Sequence, residues 1–390
     1  MSQAPHAAAH QAGAVIAKIE DILGSVVDDL SRGATELSIP FRTRTAAAAS
    51  HPRPPAGDPT EQGEGPSSAS QAQSDSMTGR SRGVVTFPGR TVHEAKKFGA
   101  ILRILELSLE ALVAGKIITK RNIYYQNTEL FREQRVVDAL VDDLAFTLGI
   151  GRNALNIVAA AKGQTAGPLI LFMENGTAVS CSSSHDNGVL IPHPQLIRRI
   201  DFSSIRWILV IEKEATFRTL TATQYWSRSV HGEGLLTQGK GFPDLTTRFF
   251  LNLIHAARPD IPMYGLVDYD PVGMSILRTY KHGSRRLDHE EDCTVPGMTW
   301  LGIRASDILI PTSPLSRTAE DALLPLTARD RRVGTNLLKT IFERRDHDDD
   351  EWEQLVDLQT MLFLNVKAEI QAVDNMGDLT DWLEEKMGNL

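Results

Sequence analysis

The hydrophobic positions near the start of the chain recur at helical spacing. Between Ala14 and Leu30 the apolar side chains lie three or four residues apart, which predicts one amphipathic helix. They are Ile16, Ile19, Leu23, Val26 and Leu30. Such a stripe either packs on the core of its own domain or forms a contact surface for a partner protein. We assign residues 1–45 to an amino-terminal helix and extension and keep both interpretations.

The next segment loses this pattern and changes in composition. From residue 46 to residue 90 the chain is rich in Ala, Ser, Pro, Gly and Gln, and no aromatic residue occurs between Phe41 and Phe87. A stretch of this kind buries too little apolar surface to offset the entropy that it loses on ordering. We therefore expect a disordered linker over residues 46–90, without chemistry of its own.

Helical spacing returns from residue 91 to residue 165. The pattern predicts three helices, which run from Thr91 to Leu112 (ended by Gly115), from Arg132 to Leu148 and from Ala154 to Ala161. Several short helices with a basic surface are typical of a helix-turn-helix or winged-helix DNA-binding unit. The helical spacing of the apolar residues, taken alone, is equally consistent with any small helical bundle.

From residue 166 to residue 390, short apolar runs alternate with helical patterns. The runs predict strands over Leu169–Met173, Trp207–Ile211, Tyr264–Val267 and Trp300–Ile303. The helical patterns lie at Ala215–Trp226, Asp244–Ala256 and Pro271–Tyr280. This alternation predicts an α/β domain with a largely parallel sheet, and the chain as a whole belongs to the mixed α/β class.

Composition narrows the class of protein further. The 390 residues include two cysteines and 42% hydrophobic residues, so we expect a reducing compartment and about two domains with cores of their own. Residues 1–13 lack the pattern of a secretory signal. The longest near-continuous apolar run, Ala166–Met173, is too short to cross a bilayer, so we expect no membrane partner.

The formal net charge of −8 argues weakly against a nucleic-acid partner, but the charge is unevenly distributed. Between Arg80 and Arg135 there are 11 Lys and Arg residues against 5 Asp and Glu residues. Between Phe342 and Leu390 there are 4 basic residues against 14 acidic ones. The acidic end of the chain therefore masks one basic segment that is suited to phosphate contacts.

Two predicted strands end in acidic residues. Trp207–Ile211 runs directly into Glu212, and Tyr264–Val267 runs directly into Asp268 and Asp270. If the two strands are neighbours, the three carboxylates meet at the carboxyl edge of the sheet and form an all-oxygen site suited to Mg²⁺. The alternative is structural: Asp270 before Pro271 is a common helix start, and the other two carboxylates would be exposed strand ends.

A pair of adjacent tyrosines, Tyr124 and Tyr125, lies in the basic segment. A tyrosine phenol has a pKa near 10, so it needs a cation, a base or a metal to act as a nucleophile. In a helix, Arg121 and Tyr125 are four residues apart and share a face, so Arg121 could hold the phosphate that Tyr125 attacks. The alternative is one core tyrosine and one surface tyrosine beside a solvated Lys-Arg pair.

Other motifs are less specific. Residues 234–241 come close to a nucleotide-binding phosphate loop, but Gly241 stands where Ser or Thr should bind Mg²⁺, and no apolar strand leads into them. Residues 182–186 contain the residue types of a catalytic triad, but triads are assembled in space rather than in sequence. We expect neither ATP binding nor triad chemistry.

Residues 119–125, Thr-Lys-Arg-Asn-Ile-Tyr-Tyr, resemble the active-site tyrosine motif in the A subunits of topoisomerase VI and in their meiotic relatives, which make double-strand breaks (sporulation protein eleven). Similar motifs follow in the order of the family at Val137–Leu144, Ala159–Gly163, Val210–Ala215, Gly239–Asp244, Asp268–Gly273, Trp300–Ile303 and Lys367–Gln371. The resemblance covers roughly residues 91–386, and its motifs are highly specific. Asn122 and Gln164 depart from the usual Asp and Leu without removing a catalytic group.

The resemblance implies a winged-helix (CAP-like) domain over residues 91–165, followed by a toprim metal-binding domain over residues 166–390. It implies that Tyr125 is the nucleophile and that it forms a 5′-phosphotyrosyl link to DNA with help from Arg121. Glu212, Asp268 and Asp270 would bind Mg²⁺. The implied class is a type IIB topoisomerase-like enzyme, which by family falls among the ATP-hydrolysing topoisomerases.

The partners implied by the resemblance are double-stranded DNA, a second copy of the chain at the cleavage step, meiotic accessory proteins and a topoisomerase VI B-like subunit, all in the nucleus. Two alternatives stay open. The chain could be the A subunit of a true topoisomerase VI, which reseals DNA under ATP control, or a non-catalytic DNA-binding scaffold. The scaffold is disfavoured because all five expected catalytic positions are filled.

Overall fold

The computed structural model describes residues 4–44, 83–182, 187–202, 204–283, 292–309, 323–343, 349–374 and 379–388. Their contacts divide the chain into two compact units, Met1–Ala160 (the amino-terminal unit) and Ala161–Leu390 (the carboxyl-terminal unit). Within the described stretches, no helix combines the length and the apolar content that a membrane span requires.

The amino-terminal unit is mainly helical. Its helices are α1 Ala4–Ser31, α2 Val92–Val113, α3 Lys120–Gln126, α4 Thr128–Phe131 and α5 Gln134–Leu148, with a 3₁₀ turn at Arg152–Leu155. Strands β1 Leu37–Pro40 and β2 Val84–Phe87 pair in antiparallel fashion, whereas β3 Ile118–Thr119 and β4 Ile157–Val158 pair in parallel. The winged-helix assignment of this region stays a prediction.

Helix α1 packs on the core of its own unit, as the first of the two interpretations proposed. Val15, Ile19, Ile22 and Val26 are buried in the same hydrophobic cluster as α2 and α5. The predicted stripe was partly wrong: Ile19 and Val26 are buried, but Leu30 is 59% exposed. Long helices often leave terminal apolar residues in solvent, because only the turns that face a neighbour are covered.

Two local predictions in this unit were wrong. The end of the predicted linker, at Val84–Phe87, forms β2 because its β-branched residues pair with β1 and Val85 enters the core; residues 45–82 lie outside the described residues. The predicted helix over Ala154–Ala161 is replaced by the 3₁₀ turn and β4. Asn156 adopts a left-handed conformation (φ 53°), which ends the turn before the strand.

The carboxyl-terminal unit is a mixed α/β structure. Its strands are β5 Gln164–Ala166, β6 Ile170–Met173, β7 Ala178–Ser180, β8 Val189–Leu190, β9 Ile197–Asp201, β10 Trp207–Ile211, β11 Gly234–Gln238, β12 Met263–Leu266, β13 Thr299–Trp300, β14 Leu323–Pro325 and β15 Val366–Ala368. Its helices are α6 Glu214–Ala222, α7 Tyr225–Arg228, α8 Leu245–Ala257, α9 Pro271–His282, α10 Ala305–Leu309, α11 Ala328–Phe342, α12 Asp349–Leu364, α13 Gln371–Asp374 and α14 Leu379–Gly388. A 3₁₀ turn lies at Pro194–Leu196.

The main sheet has the strand order β13-β12-β10-β11-β5-β8. Its first four strands pair in parallel, and β5 pairs in antiparallel fashion with both β11 and β8. The prediction of a mixed α/β chain with a largely parallel sheet is therefore confirmed. All five residues of β10 are buried, as expected for a strand covered on both faces.

The structure also corrects the sequence-based assignment of this unit. The pattern places Leu169–Met173 among the strands of the parallel sheet, but β6 belongs to a separate antiparallel sheet of order β7-β6-β9. Gly234–Gln238, expected to be a false phosphate loop, is β11, a fully buried strand beside β10. The predicted helix Ala215–Trp226 is divided into α6 and α7, because Gln224 takes a left-handed conformation at φ 53°.

Gly234 begins β11 because no larger residue fits there. A Cβ atom at this position would lie 2.2 Å from the ring of Trp207, which is buried in the core. We expect Gly234→Ala to lower the free energy of unfolding by about 1–3 kcal/mol, the usual cost of overpacking. All five tryptophans lie in this unit, so urea unfolding followed by tryptophan fluorescence measures the change.

Gly297→Ala is the matched control in the same unit, because only His255, at 3.9 Å, lies near its added Cβ. Its unfolding midpoint should stay close to that of the wild type. Equal midpoints for the two glycine variants would show that the contact with Trp207 does not constrain β11.

Candidate functional site

The carboxylates predicted from the strand ends come together in the carboxyl-terminal unit. Strands β10 and β12 are parallel neighbours with Ile211 opposite Leu266, so the condition set by the sequence pattern is met. Glu212 follows β10 directly, and its backbone N–H donates to the carbonyl of Leu266 at 3.0 Å. The backbone N–H of Asp268 donates to the Glu212 Oε2 atom at 3.1 Å, which joins the two strand ends.

Both carboxylate oxygens of Asp268 have partners from elsewhere in the chain. Oδ1 accepts a hydrogen bond from the backbone N–H of Ile370 at 2.9 Å, and Oδ2 lies 2.9 Å from the ammonium of Lys213. Ile370 is held there because Tyr269 and Ala368 exchange two backbone hydrogen bonds just before it. The Asp268 side chain is thus buried and fixed in orientation.

Asp270 begins helix α9, as the structural alternative proposed. Its Oδ1 atom accepts a hydrogen bond from the backbone N–H of Gly273 at 2.6 Å, and Pro271 occupies the first helical position. A Cβ at residue 273 would lie 2.4 Å from the Asp268 carbonyl, so only glycine allows the helix to start this close to Asp268. The cap therefore also brings Asp270 close to Asp268.

The electrostatics of this edge favour a cation. Burial, together with the neighbouring charges of Asp268 and Asp270, raises the pKa of Glu212 to about 7, although the hydrogen bond from the Asp268 N–H lowers it. Burial also raises the pKa of Asp268, despite the Ile370 N–H and the Lys213 ammonium. The neighbouring carboxylates create a negative potential, which makes each of them harder to ionise. A bound cation would neutralise this potential.

The donor set fits Mg²⁺ in its chemistry. Among the described residues, no three His, Cys, Asp or Glu side chains form a ready-made metal cage. Mg²⁺ does not require one, because it commonly binds to one or two carboxylates and keeps water and phosphate oxygens as its other ligands. Glu212, Asp268 and Asp270 supply only oxygen donors, the ligand type that Mg²⁺ prefers.

The tyrosine pair lies in the amino-terminal unit on the short helix α3. Thr119 caps the helix by accepting a hydrogen bond from the backbone N–H of Asn122 at 3.1 Å. Lys120 and Ile123 are buried, whereas Tyr125 is 61% exposed. Because α3 presents one face to the core, the tyrosine at its far end is left in solvent.

Arg121 and Tyr125 share the exposed face of α3, as their spacing predicts. Nη2 of Arg121 donates to the Tyr125 hydroxyl at 3.3 Å, and its guanidinium carbon lies 5.6 Å from the centre of the ring. The neighbouring Tyr124 is half-buried, and its hydroxyl donates to the carbonyl of Arg132 at 3.3 Å. The two tyrosines therefore differ: Tyr124 is tied to the backbone, and Tyr125 faces solvent beside a cation.

A buried ion pair anchors α3 to helix α5. The Lys120 ammonium lies 2.6 Å from Oδ1 of Asp142, and both side chains are nearly inaccessible to solvent. Arg44 contacts Oδ2 of Asp142 at 3.1 Å and Oδ1 of Asp143 at 3.1 Å. The sequence does not reveal this anchor, although Lys120 stands in the tyrosine motif, because nothing in the neighbouring residues indicates that a lysine is buried.

We expect Asp142→Asn to loosen α3. Leaving one member of a buried ion pair without its partner costs roughly 3–5 kcal/mol. Amide hydrogens of Lys120–Gln126 should therefore exchange at least about 10-fold faster with deuterium in the variant. Asp143→Asn is the matched control, since Asp143 pairs with Arg44, whereas the Lys120 ion pair is made with Asp142. Equal exchange in the two variants would contradict the anchoring role.

Two family models match the chain. One, described as "Type IIB DNA topoisomerase", covers residues 96–157. The other is the Toprim domain of Spo11 and of the A subunits of topoisomerase 6, and it covers residues 207–386. The first match includes α3 with its tyrosines, and the second includes Glu212, Asp268 and Asp270.

Curated relatives agree with these matches. The meiotic recombination protein rec12 of Schizosaccharomyces pombe is 35% identical over 78% of this chain and 80% of its own length. The meiotic recombination protein SPO11 of Mus musculus is 33% identical over 71% of this chain and 67% of its own length. The A subunit of DNA topoisomerase 6 from Arabidopsis thaliana is 32% identical over 74% of this chain and 65% of its own length. With these coverages and identities, the chain belongs to the family of Spo11 and the A subunits of topoisomerase 6.

Proposed function

We propose that this protein cuts DNA by transesterification and thereby starts meiotic recombination. The Tyr125 hydroxyl oxygen attacks the phosphorus of a phosphodiester, and the bond from phosphorus to the 3′ oxygen breaks. The phenol loses its proton and the leaving oxygen gains one. The products are a 5′-phosphotyrosyl ester and a free 3′ hydroxyl, so the energy of the cleaved bond is conserved in the link to the protein.

The observation that supports this most strongly is the pairing of an exposed tyrosine hydroxyl with a guanidinium on one helix face. Arg121 lies within hydrogen-bond distance of the Tyr125 hydroxyl, so its charge stabilises the developing phenolate. Its planar fork also suits a phosphate oxygen. The Lys120–Asp142 ion pair keeps the helix fixed, so Tyr125 approaches the phosphate in a restricted orientation.

Glu212, Asp268 and Asp270 are the residues that we propose to hold Mg²⁺. When bound there, the ion would offset negative charge on the scissile phosphate and on the leaving 3′ oxygen. The backbone N–H of Ile370 keeps Asp268 oriented, and the Asp270 cap on α9 keeps the third carboxylate near the strand ends. The match to a toprim domain supports a divalent-metal role for this edge.

DNA binding falls, in this proposal, to the basic segment between Arg80 and Arg135. Lys96, Lys116, Arg121 and Arg132 are exposed in it. Such side chains contact phosphates of the DNA backbone without reading its base sequence. We assign residues 91–165 to a winged-helix DNA-binding domain and residues 166–390 to the toprim domain.

The proposal also includes the assembly. Each protomer cuts one strand, so a double-strand break requires a homodimer on double-stranded DNA, with the tyrosine of one protomer acting at the metal site of the other. The relatives named as meiotic recombination proteins support work on chromosomal DNA in the nucleus. Meiotic accessory proteins and a topoisomerase VI B-like subunit are the further partners.

A second candidate is the A subunit of a topoisomerase that reseals the DNA. It is favoured by the relatives named as A subunits of topoisomerase 6, whose identities of 32–34% are close to those of the meiotic proteins. The test is relaxation of supercoiled DNA by the purified chain with ATP and a B-type subunit. Relaxation supports the resealing enzyme; persistent breaks without relaxation support the meiotic one.

The experiment that tests the proposal is recovery of the protein, under denaturing conditions, from cells in meiosis. After nuclease trimming, the 3′ ends of any bound DNA are labelled with terminal transferase. We expect labelled DNA that migrates with the protein and resists 5′ exonuclease. Meiotic breaks whose 5′ ends carry no protein would contradict the proposal.

A further inference from the structure

Lys213 lies beside the carboxylates at the carboxyl ends of β10 and β12. Its ammonium lies 2.9 Å from Oδ2 of Asp268, and it donates to Oε2 of Glu369 at 3.0 Å and to Oε1 of Gln371 at 2.6 Å. The Lys213 side chain is 23% exposed and that of Asp268 only 7%. The ammonium of Lys213 therefore places a positive charge directly against this buried carboxylate.

The three contacts of Lys213 come from two sides. Asp268 lies beyond the end of β12, whereas Glu369 and Gln371 flank Ile370 at the end of β15. The other oxygen of Asp268 is held by the Ile370 N–H. If the ammonium left Oδ2, the carboxylate would keep its orientation and Lys213 would keep two of its three partners.

A divalent ion and this ammonium compete for one oxygen. Mg²⁺ binds carboxylate oxygens at about 2.0–2.1 Å, so an ion on Oδ2 of Asp268 would lie against the ammonium of Lys213. Two cations this close repel each other strongly wherever the solvent is partly excluded. One of them has to leave Asp268 before the other can bind there directly.

We propose that Lys213 is a resident counter-cation, which neutralises Asp268 in the metal-free protein and is displaced from it when a divalent ion binds. Glu369 and Gln371 retain the displaced ammonium, so it stays at the edge of the site. This inference rests on the proposed metal site and adds to it the residue that sets how tightly the site binds metal.

Removal of the Lys213 charge should therefore tighten metal binding. The test is titration of the purified full chain with Mn²⁺, a spectroscopic substitute for Mg²⁺, with free Mn²⁺ measured by electron paramagnetic resonance. We expect Lys213→Met to lower the Kd for Mn²⁺ by about 10-fold or more, equivalent to about 1.4 kcal/mol. The methionine keeps the length of the side chain and removes its charge.

The matched control is Lys386→Met. The Lys386 side chain is 24% exposed and forms an ion pair with Asp307 at 2.7 Å, so its burial and pairing resemble those of Lys213. Its Kd should stay near the wild-type value. An unchanged or higher Kd in Lys213→Met, with Mn²⁺ bound by the wild type, overturns the counter-cation. No binding by either protein overturns the metal site itself, and with it this inference.

Glu369→Gln tests whether Glu369 holds the displaced ammonium of Lys213 or acts on the metal only through its negative charge. Without the Glu369 carboxylate, the displaced ammonium of Lys213 is less well stabilised, so the variant should bind Mn²⁺ more weakly than the wild type. In the Lys213→Met background the same substitution should have a clearly smaller effect, because no ammonium remains to be held. Equal effects in both backgrounds would contradict the retention of Lys213 by Glu369.

Discussion

Tyr125→Phe is expected to abolish covalent attachment of the protein to DNA. The substitution removes the one oxygen that can form the phosphotyrosyl ester and leaves the ring of this residue, which is 61% exposed, unchanged in shape. The Tyr125 hydroxyl is hydrogen-bonded to the exposed Arg121 side chain rather than to the core, so folding should be unaffected. Denaturing recovery of labelled protein–DNA complexes measures the effect, and the signal should fall to background.

Tyr124→Phe is the matched control for this variant. Tyr124 stands next to Tyr125 with its ring centre 5.3 Å away, but its hydroxyl donates to the Arg132 carbonyl instead of facing solvent. Loss of that bond costs about 0.5–1.5 kcal/mol of stability and should leave the complexes in place. If Tyr124→Phe abolishes them and Tyr125→Phe does not, the nucleophile has been assigned to the wrong tyrosine.

Asp268→Asn is expected to reduce DNA cleavage by at least about 10²-fold, since removal of a group that stabilises transition-state charge has effects of this size. The asparagine oxygen can still accept the hydrogen bond from the Ile370 N–H, so the strand ends should keep their arrangement. What is lost is the negative charge that draws a divalent ion and the ammonium of Lys213. Covalent complexes and the Kd for Mn²⁺ should be measured on the same preparation.

Asp307→Asn is a suitable comparison for Asp268→Asn. Asp307 also pairs with a lysine, Lys386, and also accepts a backbone hydrogen bond, from Arg304 at 2.9 Å. It is not one of the proposed metal ligands, so cleavage and metal binding should be retained. Full cleavage by Asp268→Asn would contradict the metal site and would favour a scaffold that has kept the fold.

The sequence predicts the central elements of the fold well where the pattern is local. Strand β10 is found at Trp207–Ile211 as predicted, because five apolar residues in a row have no stable place except a covered strand. Helix α8 starts after Asp244, whose side chain accepts from the Thr247 N–H, a local capping arrangement that the sequence displays. Such features depend on neighbours within a few residues.

Features that depend on distant partners are predicted poorly. Strand β11 was missed because it contains a glycine, which is small, and a threonine, which is polar. Its burial is due to its position between β10 and β5 in the sheet. Strand β6 has the composition of a core strand but pairs with β7 and β9, and composition does not specify the partner. Strand β2 follows a long stretch of low hydrophobicity, and its partner β1 lies far before it in the chain.

In the candidate site, too, contacts between residues close in the sequence were predicted, and contacts between distant residues were not. The four-residue spacing of Arg121 and Tyr125 is sufficient to predict their contact, since a helix places such residues on one face. The meeting of Glu212 with Asp268 required β10 and β12 to be neighbours, which the sequence could state only as a condition. Lys213 was missed because its partners at residues 369 and 371 lie far along the chain.

The uneven charge of the chain also has a structural basis. Several acidic residues of the carboxyl-terminal region pair with cations inside their own unit: Glu351 lies 3.0 Å from Arg278, and Asp357 lies 3.4 Å from Arg304. Their charges are thereby partly compensated by residues outside the acidic region. The net charge of −8 therefore says little about the amino-terminal unit, in which the exposed cations of the basic segment and Tyr125 lie.

Mass spectrometry of the DNA-linked protein shows which residue carries the link to DNA. After nuclease digestion, trypsin should release the peptide of residues 122–132, which contains both tyrosines. We expect a nucleotide mass on this peptide, with fragment ions that place it on Tyr125. A nucleotide on Tyr124, on another residue, or on no peptide of a protein recovered with cleaved DNA would show that Tyr125 is not the nucleophile.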